Sequence, residues 1–240
     1  MVTYIDILMP IVSFILAYLI GGIPTAVIFG KVFFKQDIRK IGSGNPGGTN
    51  ATRAWGKKVG FLVIAIDMFK AIAPIWIALL IFNFTGLKTM MIKESLPWGI
   101  WAAGFGSVVG HCYSIYLKFK GGKGVSTIAG YIGTTSIVQL FVGIADFTST
   151  LFTKKMVSLS SIVLCIGGTI ISWIYFISYK CVNPDMFNVF ILIFTPGYGL
   201  VDMSVAYPVM VTLSAAVVIF RHKENIGRII NKTENTIKSR

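Results

Sequence analysis

The sequence predicts an all-α integral membrane protein, a single bundle over residues 1–240 that crosses the bilayer several times. Three observations carry this. Of the 240 residues, 55% are hydrophobic and 13% are charged, against about 25% charged in an average soluble domain. The mean hydropathy is +0.76. The apolar residues also come in runs long enough for the roughly 20 helical residues that a hydrocarbon core demands, and polar residues gather in a few stretches between them.

In chain order, the first span runs from about Ile5 to Phe34. Its start lacks the basic region of a cleaved signal peptide, so the span is expected to be retained. Gly21-Gly22 and Pro24 predict a kink, which neighbouring helices can tolerate by re-satisfying the freed backbone groups. A second span covers about Val59 to Phe82 and carries Asp67 and Lys70, three residues apart and hence on one face. Such a pair inside a span reads as a structural ion pair ahead of a catalytic one. The third span, about Pro97 to Leu117, holds Gly106 and Gly110 at a spacing that permits close helix contact. Residues 125–152 form one span or two short ones, broken by Gly130, Gly133, Gly143 and Asp146. Met156 to Tyr179 is a further span, and about Val205 to Phe220 is the last. There is no internal repeat, and Cys112, Cys165 and Cys181 have neither zinc-site nor disulfide-framework spacing.

The net charge of +13 does not point to nucleic acid, because the basic residues sit in short loops and the tail, where the positive-inside rule and anionic headgroups favour them. Six lie between Lys35 and Lys58, three between Lys118 and Lys123, two at Lys154-Lys155 and six from Arg221 onward. Only Lys88, Lys93 and Lys180 fall in the other loops. Placing the rich groups together in the cytoplasm makes 125–152 a pair of short spans, with seven crossings and the N-terminus outside. A five-span arrangement, which puts Lys154-Lys155 outside, is the alternative.

Three polar stretches then share the cytoplasmic face. The first runs from Ile41 to Arg53 and contributes Ser43, Asn45, Gly47, Thr49, Asn50 and Arg53. The second runs from His111 to Thr127 and contributes Lys118, Lys120, Gly121, Gly122, Lys123, Gly124, Ser126 and Thr127. The third follows the last span with His222, Asn225 and Arg228. Glycine-rich turns leave backbone N–H groups pointing into a concavity that suits an anion, and Arg and Lys add charge-assisted bonds to phosphate. Nearly free of carboxylates, this set suits phosphate better than a metal, and no metal or cofactor is expected. Gly122-Lys123-Gly124 is not a Walker A lysine, since Gly124 stands where that motif needs Ser or Thr and Leu117 where it needs Gly. His111 reads as an ordinary helix-end histidine.

Together the stretches resemble the membrane acyl-phosphate:glycerol-3-phosphate acyltransferase family of bacterial phospholipid synthesis. The likeness lies in Ser43-Gly44-Asn45-Pro46-Gly47-Gly48-Thr49-Asn50 with Arg53, in Gly110-His111 with Phe119 to Thr127, and in His222, Asn225-Ile226, Arg228 and Glu234. Two positions depart from the pattern. Gly48 replaces an alanine, which should be harmless, and Lys232 replaces a glycine two residues before Glu234. The resemblance implies a seven-span membrane enzyme that makes 1-acylglycerol 3-phosphate and phosphate from an acyl phosphate and glycerol 3-phosphate. It implies that Ser43 and Arg53 help hold phosphate, that Lys123 and the Gly121–Gly124 loop form an anion pocket, and that His222 and Asn225 orient the glycerol hydroxyl or the acyl carbonyl. No Ser or Cys has the neighbouring base of a covalent acyl-enzyme, so direct attack is expected. The competing class is a transporter for a phosphorylated metabolite, disfavoured because such folds often show repeats and midplane helix breaks. No protein partner is indicated.

Overall fold

The computed structural model describes residues 3–91, 95–181 and 204–237, and among these the chain is helical with no strand. It divides into two compact units, Met1–Tyr131 and Ile132–Arg240. Among the described residues, three helical stretches are long and apolar enough to cross a membrane by themselves, Tyr4–Phe33, Lys57–Phe82 and Val157–Tyr179.

Unit 1 opens with α1, Tyr4–Gly22, started by a capping box in which Thr3 and Asp6 satisfy each other's backbone N–H. The helix stops before Ile23-Pro24 and resumes as α2, Thr25–Phe33, because Pro24 has no N–H to continue the ladder. The predicted kink is therefore a complete break. A short 3-10 turn, Ile38–Lys40, leads through the first polar stretch into α3, Gly48–Trp55. Gly56, at φ 87°, reverses the chain into α4, Lys57–Phe84, which carries Asp67 and Lys70 in its middle. A single turn α5, Leu87–Met90, precedes α6, Leu96–Cys112.

The spine of this unit is the contact of α1 with α6. A Cβ added at Gly106 would collide with the Phe14 carbonyl, one at Gly110 with the Tyr18 carbonyl, and one at Gly21 with the backbone of Ser107. Three glycines thus bring the two backbones together, as the Gly106/Gly110 spacing predicted. α4 lies against both helices, and the Ser107 hydroxyl, 3.0 Å from the Lys70 carbonyl, joins α6 to it. After the second polar stretch, α7, Val125–Thr135, begins in this unit and seats Gly130 on the backbone of Met68.

Unit 2 takes the last turn of α7, then α8, Ile137–Lys154, and α9, Val157–Cys181. Residues 125–154 are thus two helices, with Ser136 in extended conformation as the N-cap that accepts the Gln139 N–H. Polar groups released at such a break need partners in an apolar surround. Just past the break, the Gln139 amide finds partners of its own, donating to the Gly168 carbonyl at 2.8 Å and receiving the Tyr207 hydroxyl at 2.6 Å. Tyr207 belongs to α10, Ala206–Arg221, which Trp173 also ties to α9 through Thr212 at 3.1 Å. α11, Lys223–Ile230, and a folded-back tail complete the unit. The stretch 186–203, including Thr195 to Gly199 and Asp202, lies outside the described residues.

Candidate functional site

The first polar stretch is a loop wound around one side chain. Asn50, buried at the start of α3, donates from Nδ2 to the carbonyls of Ile38 (3.2 Å) and Ile41 (2.9 Å) and accepts the Ser43 N–H at 3.0 Å. Gly42 and Gly44 take positive φ, 58° and 69°, so that the chain can close on Asn50. A Cβ at Gly42 would strike its Oδ1. The Asn50 amide, expected from the sequence to meet substrate, is here engaged in shaping the loop. Each of those bonds is worth about 0.5–1.5 kcal/mol net, and an orphaned buried partner costs about 1–3 kcal/mol.

What the loop leaves outward is a set of donors. Ser43, Thr49 and Arg53 are exposed. Pro46, Gly47 and Gly48 are buried beneath them, with Asn45 half-buried. Gly48 packs on α4: a Cβ there would run into the Ile64 side chain and stand 3.1 Å from the Gly60 carbonyl. The Gly48 departure is therefore compensated locally, with Ile64 filling the volume an alanine methyl would take.

The second stretch turns sharply after α6. A 3-10 turn, Ile115–Leu117, is followed by Lys118 and Phe119 in the left-handed region, at φ 52° and 62°. The Phe119 N–H returns to the Ser114 carbonyl at 2.8 Å, and the Gly122 N–H to the His111 carbonyl at 3.0 Å. Gly121 and Gly122 lie directly on His111: a Cβ at Gly121 would meet its carbonyl and one at Gly122 its Nε2. Gly124, at φ 80°, then launches α7. The first-turn N–H groups of such a helix, with its positive dipole end, favour an anion. Ser126 is half-buried there, and Thr127 is fully buried with a hydroxyl that has no hydrogen-bond partner among the described residues. Lys123 is half-buried, while Lys118 and Lys120 are exposed.

These two stretches meet at one cavity of unit 1. It is lined by Pro46 from the first, by His111, Ser114, Leu117 and Gly122 from the second, by residues 21–25 at the α1–α2 break, and by Lys70. It is small, with room for about one water-sized group, so it can take a single polar atom and not an acyl chain. Behind the wall, Asp67 Oδ1 receives the Thr25 hydroxyl at 2.9 Å and Lys70 Nζ at 2.8 Å, with His111 Nδ1 3.9 Å away. Lys70 also donates to the Ile23 carbonyl at the helix break. Sequence reasoning saw Asp67 and Lys70 but not that Lys70 reaches the cavity. The signal was present as two charges inside an apolar span.

The third stretch forms a network inside unit 2. The carboxylate of Glu234 receives Ser158 Oγ (2.7 Å), Asn225 Nδ2 (2.8 Å) and Arg228 Nε (2.8 Å). Asn225 also donates to Ser158 at 2.7 Å. Burial raises the pKa of Glu234, but the three donors and the Arg228 charge outweigh it and hold the carboxyl below its ordinary value. Lys232 adopts φ 57°, so the glycine turn is retained by a lysine in left-handed conformation. The tail continues until the Ile237 N–H reaches the Lys155 carbonyl at 2.7 Å. His222 is buried with Nδ1 2.8 Å from the Val218 carbonyl. Arg228, read from sequence as a phosphate ligand, spends its Nε on Glu234.

A family model described as glycerol-3-phosphate acyltransferase matches residues 11–232. The chain belongs to the glycerol-3-phosphate acyltransferase family. It is accordingly an acyltransferase of phospholipid synthesis, as the resemblance implied. It is 39% identical over 225 residues to the glycerol-3-phosphate acyltransferase of Macrococcus caseolyticus, covering 93% of this chain and 95% of the relative. With that of Staphylococcus carnosus it shares 37% over 234 residues, covering 96% and 99%. Crystal structures of PlsY, an integral membrane glycerol 3-phosphate acyltransferase, in its glycerol 3-phosphate and lysophosphatidic acid forms, are similar to this chain. Both superpose with a TM-score of 0.71 at 30% identity, and the first covers 95% of this chain and 96% of that one. The chain is thus an integral membrane protein.

Proposed function

We propose that the acyltransferase takes its acyl group from an acyl phosphate, transfers it to the 1-position of glycerol 3-phosphate, and works at the cytoplasmic face of a bacterial cell membrane. The observation that carries the donor is the anion-ready pair of glycine loops around one polar cavity, since donor and acceptor both present a phosphate. The glycerol hydroxyl oxygen bonds to the acyl carbon, the carbon–oxygen bond to phosphate breaks, and the hydroxyl proton leaves on the departing phosphate. The enzyme supplies position and charge stabilisation. Ser43, Thr49, Arg53, Lys120 and Lys123, with the N–H groups of the first turn of α7, hold phosphate oxygens. His222 keeps the role of orienting a reacting oxygen, and Asn225 acts as a positioning residue through Ser158 and Glu234. The helix break at Ser136 supports seven crossings with the N-terminus outside, the arrangement in which Lys154-Lys155 lies on the basic side.

The test uses purified protein in lipid with glycerol 3-phosphate and palmitoyl phosphate beside palmitoyl-CoA. Phosphate release and lysophosphatidate formation are followed for the wild type, Arg53→Ala and Lys123→Ala. Activity with the acyl phosphate alone, falling about 10²–10³-fold in each variant as for loss of a transition-state donor, is expected. Transfer from the thioester instead overturns the donor assignment. Side-specific cysteine labelling near residues 154–155 tests the topology, with cytoplasmic labelling expected.

A further inference from the structure

The cavity beside the glycine loops contains a cation that neither loop supplies. Lys70 is 6% exposed, and it is the one lysine or arginine buried among the described residues. An ammonium has three hydrogens to donate. One goes to Asp67 and one to the Ile23 carbonyl, and no further acceptor is found for it among the described residues. The same side chain lines the cavity together with Gly122, His111 and Pro46. We propose that Lys70 is an anion-binding residue of this enzyme, taking a phosphate oxygen of a bound substrate in the cavity while Asp67 and Thr25 hold it in place. The proposal rests on the reading that the cavity receives a phosphate-bearing substrate.

The rival account makes Lys70 no more than the counter-ion of Asp67. Two features argue against it. A buried pair whose only task is mutual neutralisation is often replaceable by apolar side chains without loss, and it has no reason to border a cavity. Exposed Arg53 and Lys120, moreover, face water, which weakens their attraction to an anion, whereas a buried ammonium acts in a lower dielectric. The titratable groups facing Lys70 are Asp67, at 2.8 Å, and His111, whose Nδ1 is 3.9 Å from the same Asp67 oxygen. One negative charge therefore has a cation and an imidazole beside it, and an arriving phosphate finds the pair already compensated. The phosphate could come from glycerol 3-phosphate or from an acyl phosphate, which present the same oxygens.

Lys70→Met alone strands Asp67 as an unpaired buried carboxylate, so the decisive variant is Asp67→Asn/Lys70→Met. It removes both charges and keeps an acceptor for Thr25. With the full chain in lipid, thermal unfolding, KM for each substrate and the binding of inorganic phosphate are compared with the wild type. The expected result is a folded variant whose KM for one substrate rises at least about 10-fold, with phosphate binding weakened by a similar factor. The substrate whose KM moves identifies the source of the phosphate. Unchanged KM for both with unchanged phosphate binding overturns the proposal and leaves Lys70 a counter-ion. A second measurement on the wild type covers a variant that does not fold. Reductive methylation of Lys70, read by mass spectrometry, should be suppressed by inorganic phosphate; equal modification with and without phosphate, or none in either case, overturns it. A wild type that uses only an acyl thioester would remove the acyl-phosphate donor and leave the Lys70 test standing through glycerol 3-phosphate.

Discussion

The glycine loops of unit 1 and the tail of unit 2 are both rich in polar residues, yet they dispose of them in opposite ways. In the loops, one buried amide, Asn50, does the internal bonding, and the charged and hydroxyl side chains of Ser43, Thr49 and Arg53 stay outside it. In the tail, Ser158, Asn225 and Arg228 all converge on Glu234. The tail carries its own anion, and on the proposed function the loops leave a place for one. Cationic residues near a helix end therefore do not by themselves mark a phosphate site.

Breaking the loop side of this contrast should have the largest effect. Gly122→Ala drives a methyl group into the His111 ring, and activity should fall at least about 100-fold, in the range for removing a transition-state donor, with the unfolding temperature little changed. A variant that keeps near-normal turnover would show that Gly122 need not lie on His111. Asn50→Ala should come next. It leaves the Ile38 and Ile41 carbonyls and the Ser43 N–H without their partner, costing about 1–3 kcal/mol, which calorimetry in detergent would register alongside a rise in KM. The tail side is tested through pH. The folded pKa of Glu234 is depressed, so its stabilising contribution is complete above the ordinary carboxylate value and is lost as pH falls through the lower, folded value. Protease protection of residues 231–237 should accordingly vanish in acid, whereas Glu234→Gln should show no acid step. The smallest effect is expected of Lys232→Gly. Relief of the left-handed lysine, set against glycine's extra unfolded-state entropy, should change stability by about 0.5 kcal/mol in the favourable direction, visible in a denaturant midpoint.

Much of the architecture could be read in advance because bilayer helices announce themselves as apolar runs. The interruption at Pro24 and the close approach through Gly106 and Gly110 followed from residues whose backbone chemistry is local, whereas the sequence left 125–152 as one span or two and did not single out Ser136, where the helices divide. Side-chain allegiance was harder. Asn50 and Arg228 belong to residue types that bind phosphate readily, and only the fold shows that one is taken up by two carbonyls and the other by Glu234. Gly48 looked like a neutral variation because its partner, Ile64, sits on another helix. Lys70 was visible as a charge in a span, but its place at the cavity depends on how α4 is rotated against α1 and α6, which periodicity in a helix apolar nearly all round does not encode.

The glycine seam between α1 and α6 also limits how substrate can travel. Carbon atoms keep about 3.5–4.0 Å from one another, and at Gly21, Gly106 and Gly110 there is no room even for an added methyl group. That seam is shut to a fatty acyl chain along the stretch these residues occupy. On the proposed reaction, a lipid-borne donor would have to reach the cavity by another route, so the two helices work as a wall and not as a doorway.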